Sequence, residues 1–126
     1  MAAYSVLIVD DSSLMRKIVE KSVRSWNRPF ERILHAEDGQ QALDVIQQET
    51  ADIVFSDMNM PQMTGLDLVQ AAAKLPRPVP PIVLVTTEAP GEPRIDLALK
   101  SGAAGHVKKP FTDPQLHQYL SSLLPA

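Results

Sequence analysis

An α/β fold built on a five-stranded parallel sheet is what this chain predicts, and three observations predict it. Short apolar runs alternate with segments of helical period along the whole length, the signature of a parallel sheet with helices on both faces. The runs Val6-Leu7-Ile8-Val9, Ile53-Val54-Phe55 and Ile82-Val83-Leu84-Val85 carry no polar position, as strands covered on both faces require. At 126 residues and 44% hydrophobic the chain has the size and apolar content of one domain with one core. A single domain over residues 1–126, with no separate output domain, is therefore expected.

The elements follow in order. A first strand near Ser5 to Val9 leads to a helix whose apolar stripe is Leu14, Met15, Ile18, Val19 and Val23, with Arg16, Lys17, Glu20 and Lys21 outward. Asp11 or Ser12 can cap it. A more polar second strand, near Arg32 to Ala36, precedes Asp38-Gly39-Gln40-Gln41, a helix start with a cap and a Gln three residues on. That helix runs to about Gln48, and the third strand ends at Asp57. Pro61 to Gly65 is a loop before a helix from Leu66 to Lys74. The stretch Pro76-Arg77-Pro78-Val79-Pro80-Pro81 reads as a stiff entry to the fourth strand, Ile82 to Val85. Pro90-Gly91-Glu92-Pro93 delays the next helix, with Pro93 acceptable in its first turn and Gly102 a natural stop. Gly105 to Lys108 is a short fifth strand. Thr112-Asp113-Pro114 opens a last helix in which Leu116, Tyr119, Leu120, Leu123 and Leu124 recur at helical spacing.

Composition excludes several functions. Zero cysteines remove disulfides, thiolate metal sites and thiol catalysis. A net charge of -3 argues against a general basic surface for nucleic acid. No stretch approaches the roughly 18 apolar residues that span a bilayer, and no apolar leader follows a basic segment, so no membrane association and a cytoplasmic location are the expectations.

The chemistry collects at strand ends. Asp10 and Asp11 close the first strand, Asp57 the third, Thr86 and Thr87 the fourth, and Lys109 follows the fifth. In open sheets of this kind ligands bind at the carboxyl ends of strands where strand order reverses; in the flavodoxin-like order 2-1-3-4-5 the reversal lies between the first and third strands. At a spacing of about 5 Å and an effective dielectric of about 20, each ionised carboxylate pair there repels by roughly 3 kcal/mol. A bound cation, a shared proton or a nearby lysine must relieve it.

Asp10-Asp11, Asp57-Met58-Asn59-Met60-Pro61, Val85-Thr86-Thr87-Glu88-Ala89 and Lys109-Pro110-Phe111 together resemble the receiver domains of two-component response regulators, most closely the stand-alone CheY type of chemotaxis. The resemblance covers nearly the whole chain. It implies that Asp57 accepts a phosphoryl group from a partner's phosphohistidine, and that Asp11, the Asp57 carboxylate and the Asn59 backbone carbonyl hold Mg²⁺ or Mn²⁺, with Asp10 acting through water. Lys109 would pair with Asp57 before transfer and with the phosphate afterwards, and Thr86 would turn its hydroxyl toward the phosphate. Pro90 to Pro93 adds one residue to the usual threonine-to-lysine spacing, which leaves Thr87 as the alternative switch hydroxyl. His106 stands where the family usually has Tyr or Phe, and is either a substitute switch residue or surface chemistry. Asn59 and Glu88 occupy positions that control water access to the acyl phosphate.

The implied partners are a CheA-like histidine kinase and a downstream protein such as a flagellar switch or a phosphatase, with a monomer as the default. Competing readings are a phosphate sink, a constitutive interaction module, and an aspartyl-phosphate phosphatase. The last is disfavoured because Asn59 replaces the second Asp of a D-x-D acid and base pair. A flavin site is opposed by Asp10-Asp11, which would repel its phosphate. The chain is therefore expected to phosphorylate and dephosphorylate itself without turning over a separate substrate.

Overall fold

In the computed structural model, which describes residues 3–124, five strands and five helices alternate strictly. They are β1 (Tyr4–Val9), α1 (Ser13–Arg24), β2 (Phe30–Ala36), α2 (Gly39–Gln48), β3 (Ile53–Ser56), α3 (Gly65–Ala73), β4 (Ile82–Thr86), α4 (Pro93–Lys100), β5 (Gly105–Lys108) and α5 (Asp113–Leu123). The sheet order is β2-β1-β3-β4-β5 and every pairing is parallel, which is the doubly wound α/β fold that the alternation predicts.

Successive strand residues point to opposite faces, so the sheet feeds two cores. Leu7, Val9, Val54 and Leu84 pack with Ala42, Ile46, Leu68, Ile95 and Ala98 on the α2, α3 and α4 side. Val6, Ile8, Phe55, Val83, Val85 and Val107 pack with Val19, Val23, Leu116 and Leu120 on the α1 and α5 side. Both faces being covered, the strands have no use for polar alternation.

Local signals act largely as the sequence predicts. Ser12, not Asp11, caps α1, its hydroxyl accepting the Met15 N–H at 3.2 Å. Asp38 caps α2 through the Gln41 N–H at 2.8 Å, but the Gln41 side chain reaches one residue further back, where it accepts the Glu37 N–H. Pro93 opens α4, and Gly102, at φ +120°, ends it with a backbone that L side chains rarely adopt.

The stripe expected on α1 needs correction. Val19, Ser22 and Val23 are its buried residues, whereas Leu14 is 67% and Ile18 45% exposed. At 3.6 residues per turn Leu14 and Ile18 lie about 100° round the helix from the face that meets the sheet and α5. Ile18 instead borders an apolar cavity of about 310 Å³, lined also by Met15, Thr87, Lys109, Pro110 and Phe111.

On the outer edge of the sheet the Tyr119 ring of α5 lies over Gly105, where a β-carbon would fall 2.2 Å from it. The Tyr119 hydroxyl accepts the His106 N–H and donates to the His106 carbonyl, both at 3.2 Å.

Candidate functional site

Register brings the acids together. Val9 of β1 is opposite Ser56 of β3, so the residues that follow them, Asp10 and Asp57, leave the sheet side by side. One carboxylate oxygen from each of Asp10, Asp11 and Asp57 lies within 4.8 Å of the other two. Asp10 and Asp57 are buried and Asp11 is exposed. Behind the loop that follows Asp57, the Gly65 N–H donates to the Met58 carbonyl at 2.8 Å. A β-carbon on Gly65 would sit 2.5 Å from the Asp57 carbonyl oxygen, so only glycine lets α3 start this close.

Lys109 reaches the same point from β5. Its Nζ donates to Asp57 Oδ1 at 3.2 Å and to Asp10 Oδ2 at 3.3 Å, and its side chain is only 15% exposed. Asp57 Oδ1 also accepts the Met58 N–H at 2.9 Å, and Asp10 Oδ1 the Ser12 N–H at 2.9 Å. One ammonium thus faces three carboxylates. Burial pushes the Asp10 carboxyl above its ordinary range, with Asp57 adding to the effect and the Ser12 N–H and Lys109 opposing it. The cluster keeps an excess of negative charge on oxygen donors alone. That donor set fits a hard divalent cation such as Mg²⁺, which takes few protein ligands and retains water.

Thr86 is fully buried at the end of β4, and its hydroxyl accepts the Glu88 N–H at 3.3 Å. Opposite it in register is Lys108, and the Lys109 N–H donates to the Thr86 carbonyl at 2.7 Å. Thr87 turns the other way and lines the cavity beside α1. His106 is half-buried, and its Nε2 lies 3.0 Å from the Glu88 carbonyl. The backbone N–H and C=O of Glu88 therefore connect Thr86 to His106. Asn59 is exposed, and its side chain, like that of Glu88, is engaged by Arg94. Two residues escaped the sequence reading. Arg94 is one; Arg16 is the other, its Nη1 donating to the Asp10 carbonyl at 2.6 Å.

Residues 6–121 match the sequence profile of the response regulator receiver domain. The chain belongs to that family. Chemotaxis protein CheY homologs of three Campylobacter jejuni strains are each 36% identical to this receiver over 121 residues, 94% of this chain and 91% of theirs. The Vibrio cholerae chemotaxis response regulator CheY4 superposes with a TM-score of 0.79 at 32% identity, over 98% of this chain and 100% of that one. The receiver domain of a Pseudomonas aeruginosa sensor histidine kinase, solved with a magnesium ion in its active-site cleft, shares the fold at a TM-score of 0.81 and 24% identity, over 97% and 98% of the two chains.

Membership makes this receiver a component of phosphorylation-activated two-component signalling, a signalling protein that works with a histidine kinase and downstream targets. The acid pocket of Asp10, Asp11 and Asp57 is of the kind that binds Mg²⁺ in such domains. Among the described residues no helix is long and apolar enough to cross a membrane.

Proposed function

We propose that the chain is a chemotaxis response regulator in which Asp57 accepts a phosphoryl group from a kinase phosphohistidine and signals by protein contact. The observation that carries this reading is the Lys109 ammonium held between Asp57 and Asp10 at the strand-order reversal. A lysine so placed holds the Asp57 carboxylate in its aim through a charge-assisted hydrogen bond, and is positioned to follow a phosphate oxygen once the carboxylate is esterified. Asp11, Asp57 and the Asn59 carbonyl are the residues we assign to direct metal contact, with Asp10 acting through water. When bound, the divalent ion neutralises the acid cluster and the charge on the transferred group.

Thr86 is the switch hydroxyl in this reading. To reach the phosphate it releases the Glu88 N–H, and the carbonyl of the same residue carries the contact to His106. Phosphate stabilises one of two conformations through its differential contacts with Thr86 and Lys109. His106 reports the change at the sheet edge. The donor kinase must approach the strand ends, where Leu14 and Ile18 and the cavity beside Lys109 offer an apolar seat. The downstream target meets the surface of α4, β5 and α5. Asn59 and Glu88 set a phosphoryl lifetime of seconds to minutes, which suits a signal that must reset. A phosphate sink would share all this chemistry and differ only in its target.

Intact-mass measurement after incubation with Mg²⁺ and acetyl phosphate tests the reading. The wild type is expected to gain one phosphoryl group and Asp57→Asn none. Equal masses with no addition in either would overturn it.

A further inference from the structure

Arg94 is the second residue of α4, on the first turn after the Pro-Gly-Glu-Pro stretch. Its Nη2 donates both to Asn59 Oδ1 and to Glu88 Oε1. One guanidinium therefore ties together three segments at the mouth of the site: the loop after β3, the loop after β4 and the start of α4. Glu88 is held from all its polar groups. Its N–H donates to the Thr86 hydroxyl, its carbonyl contacts the His106 ring, and its carboxylate pairs with Arg94. Arg94 has its own pKa raised, first by the bond to Glu88 and further by the charge of Asp57, so it lies within the electrostatic reach of the acceptor.

Asn59 is two residues beyond Asp57, and its Oδ1 is the atom occupied by Arg94. Loss of a phosphoryl group from Asp57 needs a water at phosphorus: the water oxygen bonds phosphorus, the bond from phosphorus to the Asp57 carboxylate oxygen breaks, and both water protons leave on the inorganic phosphate. That water has to be oriented by acceptors near the mouth. The Asn59 and Glu88 side chains carry oxygens of that kind there, and both oxygens are taken up by one cation. The same bridge links the loop after β3 to the loop after β4.

We propose that Arg94 is a positioning residue that closes the water path to phosphorylated Asp57 by holding Asn59 and Glu88, and so prolongs the phosphoryl state. This rests on Asp57 being the acceptor. The bridge acts on hydrolysis through two side chains that precede it in sequence, which makes a helix otherwise remote from the acids part of the timing of the site.

The test is decay of the phosphorylated protein, prepared with Mg²⁺ and acetyl phosphate, followed by intact mass after donor removal in wild type, Arg94→Ala, Arg94→Gln, Glu88→Ala and the Glu88→Ala/Arg94→Ala pair. Both Arg94 variants are expected to lose the group about three- to fivefold faster, the factor a partly exposed charge pair is worth, with an unchanged melting temperature. In the Glu88→Ala background the Arg94 change is expected to have little further effect, because the guanidinium is then no longer held. Decay in Arg94→Ala and Arg94→Gln at the wild-type rate overturns the inference while leaving Asp57 as acceptor. An undiminished Arg94 effect in the Glu88→Ala background overturns it too. A wild type that takes up no phosphoryl group overturns the proposed function and this inference with it.

Discussion

Replacing Asp10 by Asn is expected to make the metal-free protein more stable. Ionised Asp10 has carboxylate oxygens of Asp11 and Asp57 within 4.8 Å, and at an effective dielectric of about 20 each such pair repels by at least roughly 3.5 kcal/mol. The Lys109 ammonium at 3.3 Å returns about 5 kcal/mol on the same scale. Repulsion exceeds attraction by about 2 kcal/mol, less whatever solvent screens from the exposed Asp11. Burial weighs on the same side, in keeping with the raised pKa of Asp10. An asparagine in the same place keeps an oxygen for the Ser12 N–H. The net gain is about 1–2 kcal/mol, or roughly 4–8 °C in melting temperature for a domain of this size.

The pH dependence has a definite sign. Because the folded-state pKa of Asp10 lies above its unfolded value near 3.8, the stability linked to it is present below that value and lost as pH rises through the folded pKa. The wild type loses it as the pH rises, and Asp10→Asn does not. The advantage of the variant is therefore largest near neutrality and shrinks as the pH is lowered. Thermal unfolding by circular dichroism, in chelator across a pH series, measures it. Adding Mg²⁺ should then stabilise the wild type by mass action and the variant less. An Asp10→Asn protein no more stable than wild type in chelator at pH 7, or a gap that ignores pH, would refute the reasoning.

Other substitutions probe the same edge. Lys109→Met strips a mostly buried ammonium from two carboxylates and is expected to cost about 3 kcal/mol in metal-free stability at pH 7, read from urea unfolding. Gly65→Ala pushes a methyl group into the Asp57 carbonyl oxygen; about 1–3 kcal/mol of stability should be lost, with slower phosphoryl uptake by mass. Tyr119→Phe removes both bonds to the His106 peptide and should lower the urea midpoint by the equivalent of about 1–2 kcal/mol.

Much of this was legible because strands buried on both faces write themselves as unbroken apolar runs, and what stands at their ends is then conspicuous. Asp10, Asp57, Thr86 and Lys109 were readable for that reason. The α1 stripe was not. Leu14 and Ile18 have the same period as Val19 and Val23, and periodicity alone does not say which of two adjacent apolar faces meets the core and which is left beside the site. Arg94 was hidden for another reason. An arginine in the first turn of an amphipathic helix is ordinarily solvated, and its reach to Asn59 and Glu88 depends on the path of the Pro90 to Pro93 loop. Lys109 was expected at Asp57, but its equal share in Asp10 follows from the register of β1 with β3, which no local pattern encodes.

The hydrogen bonds of Tyr119 to the His106 peptide bear on how this molecule can assemble. β5 is an edge strand, and an open edge is a template onto which a strand of another chain can be added. At the midpoint of β5 both backbone groups that would receive such a strand are already satisfied by one phenol. Growth of the sheet into a partner is blocked there by the molecule's own last helix. Whatever binds this flank must therefore read the side chains of α4, β5 and α5, which are the parts that a change at Glu88 and His106 can rearrange.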